Sequence, residues 1–323
     1  MLCSWPTSPQ ATTPPSPPPP PSPAPSFQPA TSPLTVPPSA GTSSASKHSN
    51  RLAMSRHVRI AVVGDVHDDW DLEEDAKALQ FLQADLVLFT GDFGNENVDL
   101  VRSIANLNLP KAAILGNHDS WHTSRFSRKK ADRVQLQLEW YGVHDMEGSA
   151  RKIFGAAVGI PEGHSLILLA HNGPTGLGDK MNDICGRDWV YGGGDHGDPD
   201  LAQAIADLKR NTQISMPLVV FGHMHKQLAH RNGLRKMIVV GDDDTVYLNG
   251  AVVPRVKTLD PQGSTSGTPH GKIEGMNSNA GTLRAFTLVE CLDGKLQKVS
   301  ETWVSLHNKE TAIAEEILLF KRD

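Results

Sequence analysis

Residues 57–67 read His57-Val-Arg-Ile-Ala-Val-Val-Gly-Asp-Val-His67, an apolar run that ends at Gly64 and then delivers Asp65 and His67. Seven largely apolar, β-branched residues suit a buried strand, and the glycine ends it. The arrangement recurs downstream. Leu86-Val-Leu-Phe89 runs into Gly91-Asp92, and Ala112-Ala-Ile-Leu115 into Gly116-Asn117-His118-Asp119. Residues 166–170 run into His171-Asn172-Gly173, and 218–221 into Gly222-His223-Met224-His225. Between the first three runs, apolar residues fall at Leu72, Ala76, Leu79 and Leu82, then at Val98, Val101, Ile104 and Ala105. Those spacings predict helices. A β-α-β-α-β order predicts an α/β fold on a largely parallel sheet with helices over its faces.

In a parallel sheet the loops after the strand ends converge on one edge, where open α/β folds place their sites. Here they would bring together Asp65, His67, Asp92, Asn117, His171, His223 and His225. That set has the number and kind of ligands for two divalent ions sharing one bridging carboxylate. Read singly, Asp-x-His or Gly-Asp is also an ordinary turn or helix cap. Order and context argue otherwise, because all five follow apolar runs, with 27 residues from Asp65 to Asp92 and 25 from Asp92 to Asn117. Mixed imidazole, carboxylate and amide ligation suits Mn, Fe or Zn better than Ca or Mg. Cys3, Cys185 and Cys291 lack the paired spacing of a zinc-thiolate site. Three cysteines also rule out a disulfide framework and fit a reducing compartment.

These motifs resemble those of the calcineurin-like metallophosphoesterase superfamily: Asp-x-His, Gly-Asp, Gly-Asn-His-Asp/Glu, a lone His and Gly-His-x-His. The resemblance covers roughly residues 58 to 257. It implies a four-layer α/β/β/α sandwich with a dinuclear site at one edge of two sheets. By position, Asp65, His67 and His225 would hold one metal, and Asn117, His171 and His223 the other, with Asp92 bridging. His118 would contact the phosphate and protonate the leaving group, and Asp119 would fix the local turn or orient His118. The implied reaction is hydrolysis of a phosphomonoester or phosphodiester by a metal-bridging hydroxide, since paired cations polarise phosphoryl oxygen and deprotonate water. An imidazole is well tuned to protonate the leaving alkoxide. The alternative is a non-catalytic interaction module on the same fold.

Two branches fit poorly. The second motif, Gly91-Asp-Phe-Gly-Asn-Glu96, lacks the arginine that clamps phosphate in Ser/Thr protein phosphatases. Phe93 stands near where purple acid phosphatases carry a tyrosine ligand. The strings Ala170-His-Asn-Gly-Pro-Thr-Gly-Leu-Gly178, Asp183-Ile-Cys-Gly-Arg-Asp-Trp189, Gly194-Asp-His-Gly-Asp-Pro199 and Tyr247-Leu-Asn-Gly-Ala-Val-Val-Pro-Arg255 resemble a group shared by cyanobacteria and plant plastids. That likeness supplies no substrate. Only 51 residues separate Asp119 from His171, with helix-like runs at 128–141 and 149–158. Chains resembling this one carry additional strands there, so the second sheet and the placement of His171 are in question.

Elsewhere the pattern predicts a helix over 199–210 with Asp198 as N-cap, and strands at 237–240, 245–248 and 252–256. A mobile loop is expected at 259–282, then a hairpin of 283–291 and 296–304 turning at Asp293-Gly294. Several residues admit two readings. Arg187, Asp188 and Trp189 would bind substrate or form a salt-bridged loop around a packed Trp. Asp195, His196 and Asp198 would add a ligand or cap the helix. Asn172 would contact phosphate or make a turn, and Trp121 and His122 would line a substrate mouth.

The composition is lopsided. The first 50 residues hold 15 of the 23 prolines and 17 Ser plus Thr. No Asp or Glu precedes Asp65, and Lys47, Arg51 and Arg56 give this arm +3. Such a segment cannot bury enough apolar area to join a core. Residues 1–56 therefore read as a leader, and 57–323 as the metallophosphoesterase domain. An acid-free, Ser-rich arm resembles a transit peptide, plastid rather than mitochondrial because arginine is scarce. A disordered polyproline tail on a cytoplasmic protein is the other reading. The body carries 28 Lys and Arg against 36 Asp and Glu, a net −8 that disfavours nucleic acid as partner. A small phosphorylated substrate is expected. The apolar runs are too short to span a bilayer.

Overall fold

The computed structural model describes residues 56–120, 142–229, 233–259, 265–266, 281–307 and 310–322. The first part runs β1 (His57–Val63), α1 (Leu72–Phe81), β2 (Leu86–Phe89), α2 (Val98–Ala105), β3 (Lys111–Ala113) and a 3-10 turn at His118–Ser120. Then come α3 (Met146–Ala157), β4 (Ser165–Leu169), α4 (Pro199–Asn211), β5 (Ser215–Phe221), β6 (Ile238–Val240) and β7 (Val246–Asn249). The last part is all strand: β8 (Val256–Leu259), β9 (Thr265–Ser266), β10 (Gly281–Leu292), β11 (Lys295–His307) and β12 (Glu310–Lys321).

Side-chain alternation sorts these elements into layers. On β1, Ile60 and Val62 enter one apolar core while Ala61 and Val63 enter another. On β5, Leu218 and Val220 join Ile60 and Val62, whereas Val219 and Phe221 enter a third core with Leu201 and Ile205 of α4. Successive strand residues point to opposite faces, so a strand buried on both faces must be apolar throughout. The shared core lies between two sheets. The Ala61 and Val63 core is closed by Leu79 of α1 and Ile104 of α2. The result is the expected four-layer α/β/β/α sandwich.

One sheet has the order β12-β11-β10-β1-β2-β3, with β8 paired to β10 and β9 to β8; the other is β4-β5-β7-β6. The parallel sheet that the opening β-α-β-α-β order predicts is therefore only part of the picture. β1, β2 and β3 are parallel, but β10, β11, β12 and β8 join antiparallel. In the second sheet β4, β5 and β7 are parallel and β6 is antiparallel. Despite the short spacer before it, β4 pairs parallel with β5, with one shift of register between Ser165 and Ile167, so the described residues include the second sheet's β4 edge.

Other boundaries move for physical reasons. The hairpin turns at Asp293 (φ 50°) and Gly294 (φ 77°), two positive-φ residues of the kind whose twist suits antiparallel strands. Its strands are longer than 283–304, and β12 adds a third strand that the mixed pattern Thr311-Ala-Ile-Ala-Glu-Glu-Ile317 conceals, because this edge strand is largely exposed. Residues 252–255 are not strand; β8 begins at Val256. The expected loop 259–282 holds the end of β8, β9 and the start of β10, and its remainder lies outside the described residues. So do residues 1–55 of the leader, the helix-like run 128–141, Trp121 and His122. α3 starts earlier than the pattern predicts because the Asp145 side chain accepts from the Gly148 N–H at its N-terminus. Asp198 stands at the N-cap of α4 without a capping bond, and Pro199 supplies the start. Among the described residues no helix is long and apolar enough to cross a membrane.

A buried ionic cluster ties Arg255, just before β8, and Arg284 of β10 to Asp75 of α1. Asp75 accepts from Arg255 at 2.7 Å and from Arg284 at 2.6 Å, with all three side chains at most 5% exposed. Arg255 also donates to the Asp69 carbonyl, two residues beyond His67. Removing the carboxylate with Asp75→Ala would strand two buried guanidinium groups. It should cost about 3–5 kcal/mol, read as a lower urea midpoint, whereas a surface pair such as Arg102–Asp99 should cost under ~1 kcal/mol when broken.

Candidate metal centre

The strand ends deliver their residues to one place. Asp65, His67 and His225 offer ligand atoms within 4.8 Å of one another, and so do Asp92, His171 and His223. Asn117 joins the second group, its Oδ1 2.9 Å from His171 Nε2. The expected residues are thus gathered as two adjacent clusters, with Asp92 in the second. Asp65 and Asp92 are buried and the histidines partly so.

Backbone bonds lock the carboxylates in place. The His223 N–H donates to Asp65 Oδ1 at 2.9 Å, and the His118 N–H to Asp92 Oδ1 at 2.8 Å. His171 Nδ1 lies 2.8 Å from the Thr90 carbonyl, which accepts its proton and leaves Nε2 as a lone-pair donor. Asp65, His67, Asp92 and His223 all have positive φ, between 44° and 67°. That region is sparsely used by residues with a Cβ and costs about 1–3 kcal/mol each. Four such residues in one site mark strain held by their surroundings. Gly116 and Gly222 make the crowding possible. A Cβ at Gly116 would overlap Asp92 Oδ1 and lie 2.5 Å from His171 Cε1, and one at Gly222 would overlap Asp65 Oδ1.

The donors fit divalent cations. Asp65 Oδ2 and His223 Nδ1 are buried without a hydrogen bond, a costly state that a cation relieves. His67 Nε2 and His225 Nε2 face each other at 3.0 Å, so two imidazole nitrogens converge on one point. Burial pushes the Asp65 carboxyl up, but its 3.3 Å contact with His225 and the charge of His171 hold it below the usual carboxylate range. Asp92 is raised, by burial first and by the Asp65 charge, with His171 opposing. Burial, reinforced by the charge of His171, lowers His223 to about 4, so it is neutral at physiological pH as a ligand must be.

His118 begins the 3-10 turn, and its ring meets the His67 ring edge to face at 5.0 Å. Its Nδ1 lies 2.9 Å from Asn95 Oδ1, which fixes the tautomer with Nε2 as the acceptor. The motif Gly-Asp-Phe-Gly-Asn carried Asn95 in plain view, but only the folded loop pairs it with His118. Asp119 does not reach the cluster. Its carboxylate accepts from the Phe93 and Gly116 N–H groups, both at 2.9 Å, so it braces the loops after β2 and β3. Of the two roles open to it, the fixed turn is the one its contacts fit. Asn172 accepts from the Gly173 N–H and donates to the His196 carbonyl, a turn and a loop tie. Asp195 accepts from Thr175, Gly176 and Gly197 and holds the loop before α4. Cys185 is buried and pushed up to about 12, an inert thiol.

The sequence profile of calcineurin-like phosphoesterases matches residues 58–227, over half of the chain, from the second residue of β1 past His225. The chain belongs to the calcineurin-like phosphoesterase family. No curated protein matches it in sequence. Solved structures that resemble this chain are distant. A predicted phosphoesterase of Streptococcus pneumoniae has 12% identity and a TM-score of 0.32, covering 83% of this chain and 99% of its own. A dimetal phosphatase of Danio rerio has 8% identity and a TM-score of 0.37, covering 82% and 99%. Vps29 of Chaetomium thermophilum has 11% and 0.33, covering 84% and 100%.

Two outcomes test this site. Gly116→Ala should lower metal stoichiometry after equilibration with manganese, measured by plasma mass spectrometry; full retention would show that the cradle is not tight. The second concerns pH. Because folding lowers His223 from 6.5 to about 4, the metal-free fold binds fewer protons there than the unfolded chain. Stability from this residue is full above about 6.5 and falls as pH drops toward about 4. Urea unfolding of chelator-treated protein should show that slope, and His223→Gln should flatten it.

Proposed function

We propose that the protein is a dinuclear-metal phosphoesterase acting on a small phosphomonoester or phosphodiester. The observation that carries this reading is the pair of donor clusters set directly against His118, with buried donor atoms left unsatisfied. Asp65, His67 and His225 would hold one ion and Asn117, His171 and His223 the other, with Asp92 shared. When bound, the two ions supply Lewis acidity at the phosphoryl oxygens and a water made nucleophilic near neutral pH.

The chain's own residues supply the rest. Asn95 holds the Nδ1 side of the His118 ring at 2.9 Å, which assigns proton transfer to its far nitrogen, Nε2. In the protonated ring that nitrogen gives its proton to the departing oxygen, and the neutral ring left behind regains one from solvent. Asp119 keeps the loops after β2 and β3 in register, which sets the position of His118 relative to Asp92. The acid-free, Ser-rich composition of residues 1–56 supports a chloroplast location for this work.

Manganese-supplemented protein should hydrolyse a chromogenic phosphodiester or phosphomonoester, and the ratio of the two rates assigns the class. Silence with both, from folded and metal-loaded protein, would favour an interaction module. His118→Ala should lower kcat by about 10²–10⁴ with metal content unchanged. If metal content fell in step with activity, His118 would be a ligand.

A further inference from the structure

We propose that Trp189 and His196 form the wall that receives the ester group, so that the protein prefers phosphoesters with a planar aromatic substituent. The proposal rests on the phosphoesterase reading above and names its substrate class. A cavity of about 360 Å³ opens over Asp92, His118, His223 and His225, and Trp189 and His196 line it beyond them. Its size lies in the roughly 300–1,000 Å³ range of small-molecule pockets.

The rings form a continuous surface. His196 stacks on His223 with centroids 5.5 Å apart and planes 23° apart. Trp189 meets His196 edge to face at 5.0 Å and 88°. This run of rings leads from a proposed metal ligand outward. Its last member is 47% exposed, whereas Trp303, in the core, is 4% exposed. The expectation of a Trp packed within a salt-bridged loop is therefore half right. Asp188 is ion-paired, though with Arg235 from farther along the chain, and the indole is left open beside the cavity.

The support beneath the wall is rigid. Asp188, next to Trp189, accepts from the Ala229 N–H at 2.7 Å and lies 3.5 Å from Arg235. Arg235, 4% exposed, donates to the Asp183 and Gly186 carbonyls at 2.8 and 2.6 Å. On the other side, the Arg187 N–H bonds the Gly194 carbonyl and the His196 N–H the Cys185 carbonyl. A rigid indole with two rotatable bonds gives contact area at low entropic cost. A planar π system gains stacking on such a surface, which a polyol or short alkyl group does not.

The test uses two phosphonates that share a head group and differ only in the ring. Phenylphosphonate and methylphosphonate are titrated calorimetrically into manganese-supplemented full-length protein. The phenyl compound should bind about tenfold or more tightly, the order that one aromatic stacking contact supplies. Trp189→Ala should bring the ratio to within about twofold and Trp189→Phe should keep most of it. Equal affinity in the unaltered protein, absence of binding by either compound, or a ratio unchanged in Trp189→Ala overturns the proposal. So does Trp189→Ala weakening both compounds equally, which marks a merely structural Trp. Turnover of the chromogenic esters is measured in parallel. Ring preference without turnover would sink the hydrolase reading and keep the wall. Turnover without ring preference would do the reverse.

Discussion

The molecule depends on how closely its two sheets approach at the ends of β1, β5 and β7. A Cβ at Gly64 would lie 2.5 Å from the Gly250 carbonyl carbon, and one at Gly250 would lie 2.5 Å from Val62 Cγ1. With hydrogen in place of a side chain, the loop after β1 rests on the loop after β7. The His223 N–H, after β5, then reaches Asp65 Oδ1, after β1. That bond joins the two sheets at the point where the donor clusters form. Had the sheets stood a few ångströms apart, Asp65 and His225 would belong to separate surfaces.

This approach concentrates unfavourable features. Two carboxylates are buried near one another, four residues with side chains have left-handed backbone, and two buried donor atoms make no hydrogen bond. Each costs free energy by itself. The surroundings that hold them are strong. They include backbone bonds to both carboxylates, the Asp119 brace, and the Asp75–Arg255–Arg284 cluster that grips the loop beyond His67. Strain of this kind persists where a rigid frame over-determines it, and cations are the partners that the donor types suit.

Much of this was legible in the residues because continuous apolar runs and strand-ending glycines are local signals. β1, β2 and β5 are apolar on both faces, and the residue types after them are visible one by one. What escaped was non-local. β12 is an exposed edge strand whose outward residues are mixed, so no alternation marks it. Residues 252–255 fall in an expected strand, but there the Val252 N–H turns back to the Gly250 carbonyl, and pairing begins only at Val256. Asn95 and His196 carry no motif signal that separates them from a turn and a cap. Their meaning comes from partners far along the chain, His118 and His223.

The sequence by itself determined the family, the layered α/β architecture and the identity of the candidate ligands, because those depend on residue type and on order along the chain. Only the tertiary structure decided how the donors divide into two clusters, that Asp119 braces while Asn95 orients, and that Trp189 stands open beside the cavity. Those are matters of distance between segments far apart along the chain, as for Asp65 and His223, 158 residues apart. Local patterns place side chains on a face or in a loop. The meeting of two sheets decides which loops touch.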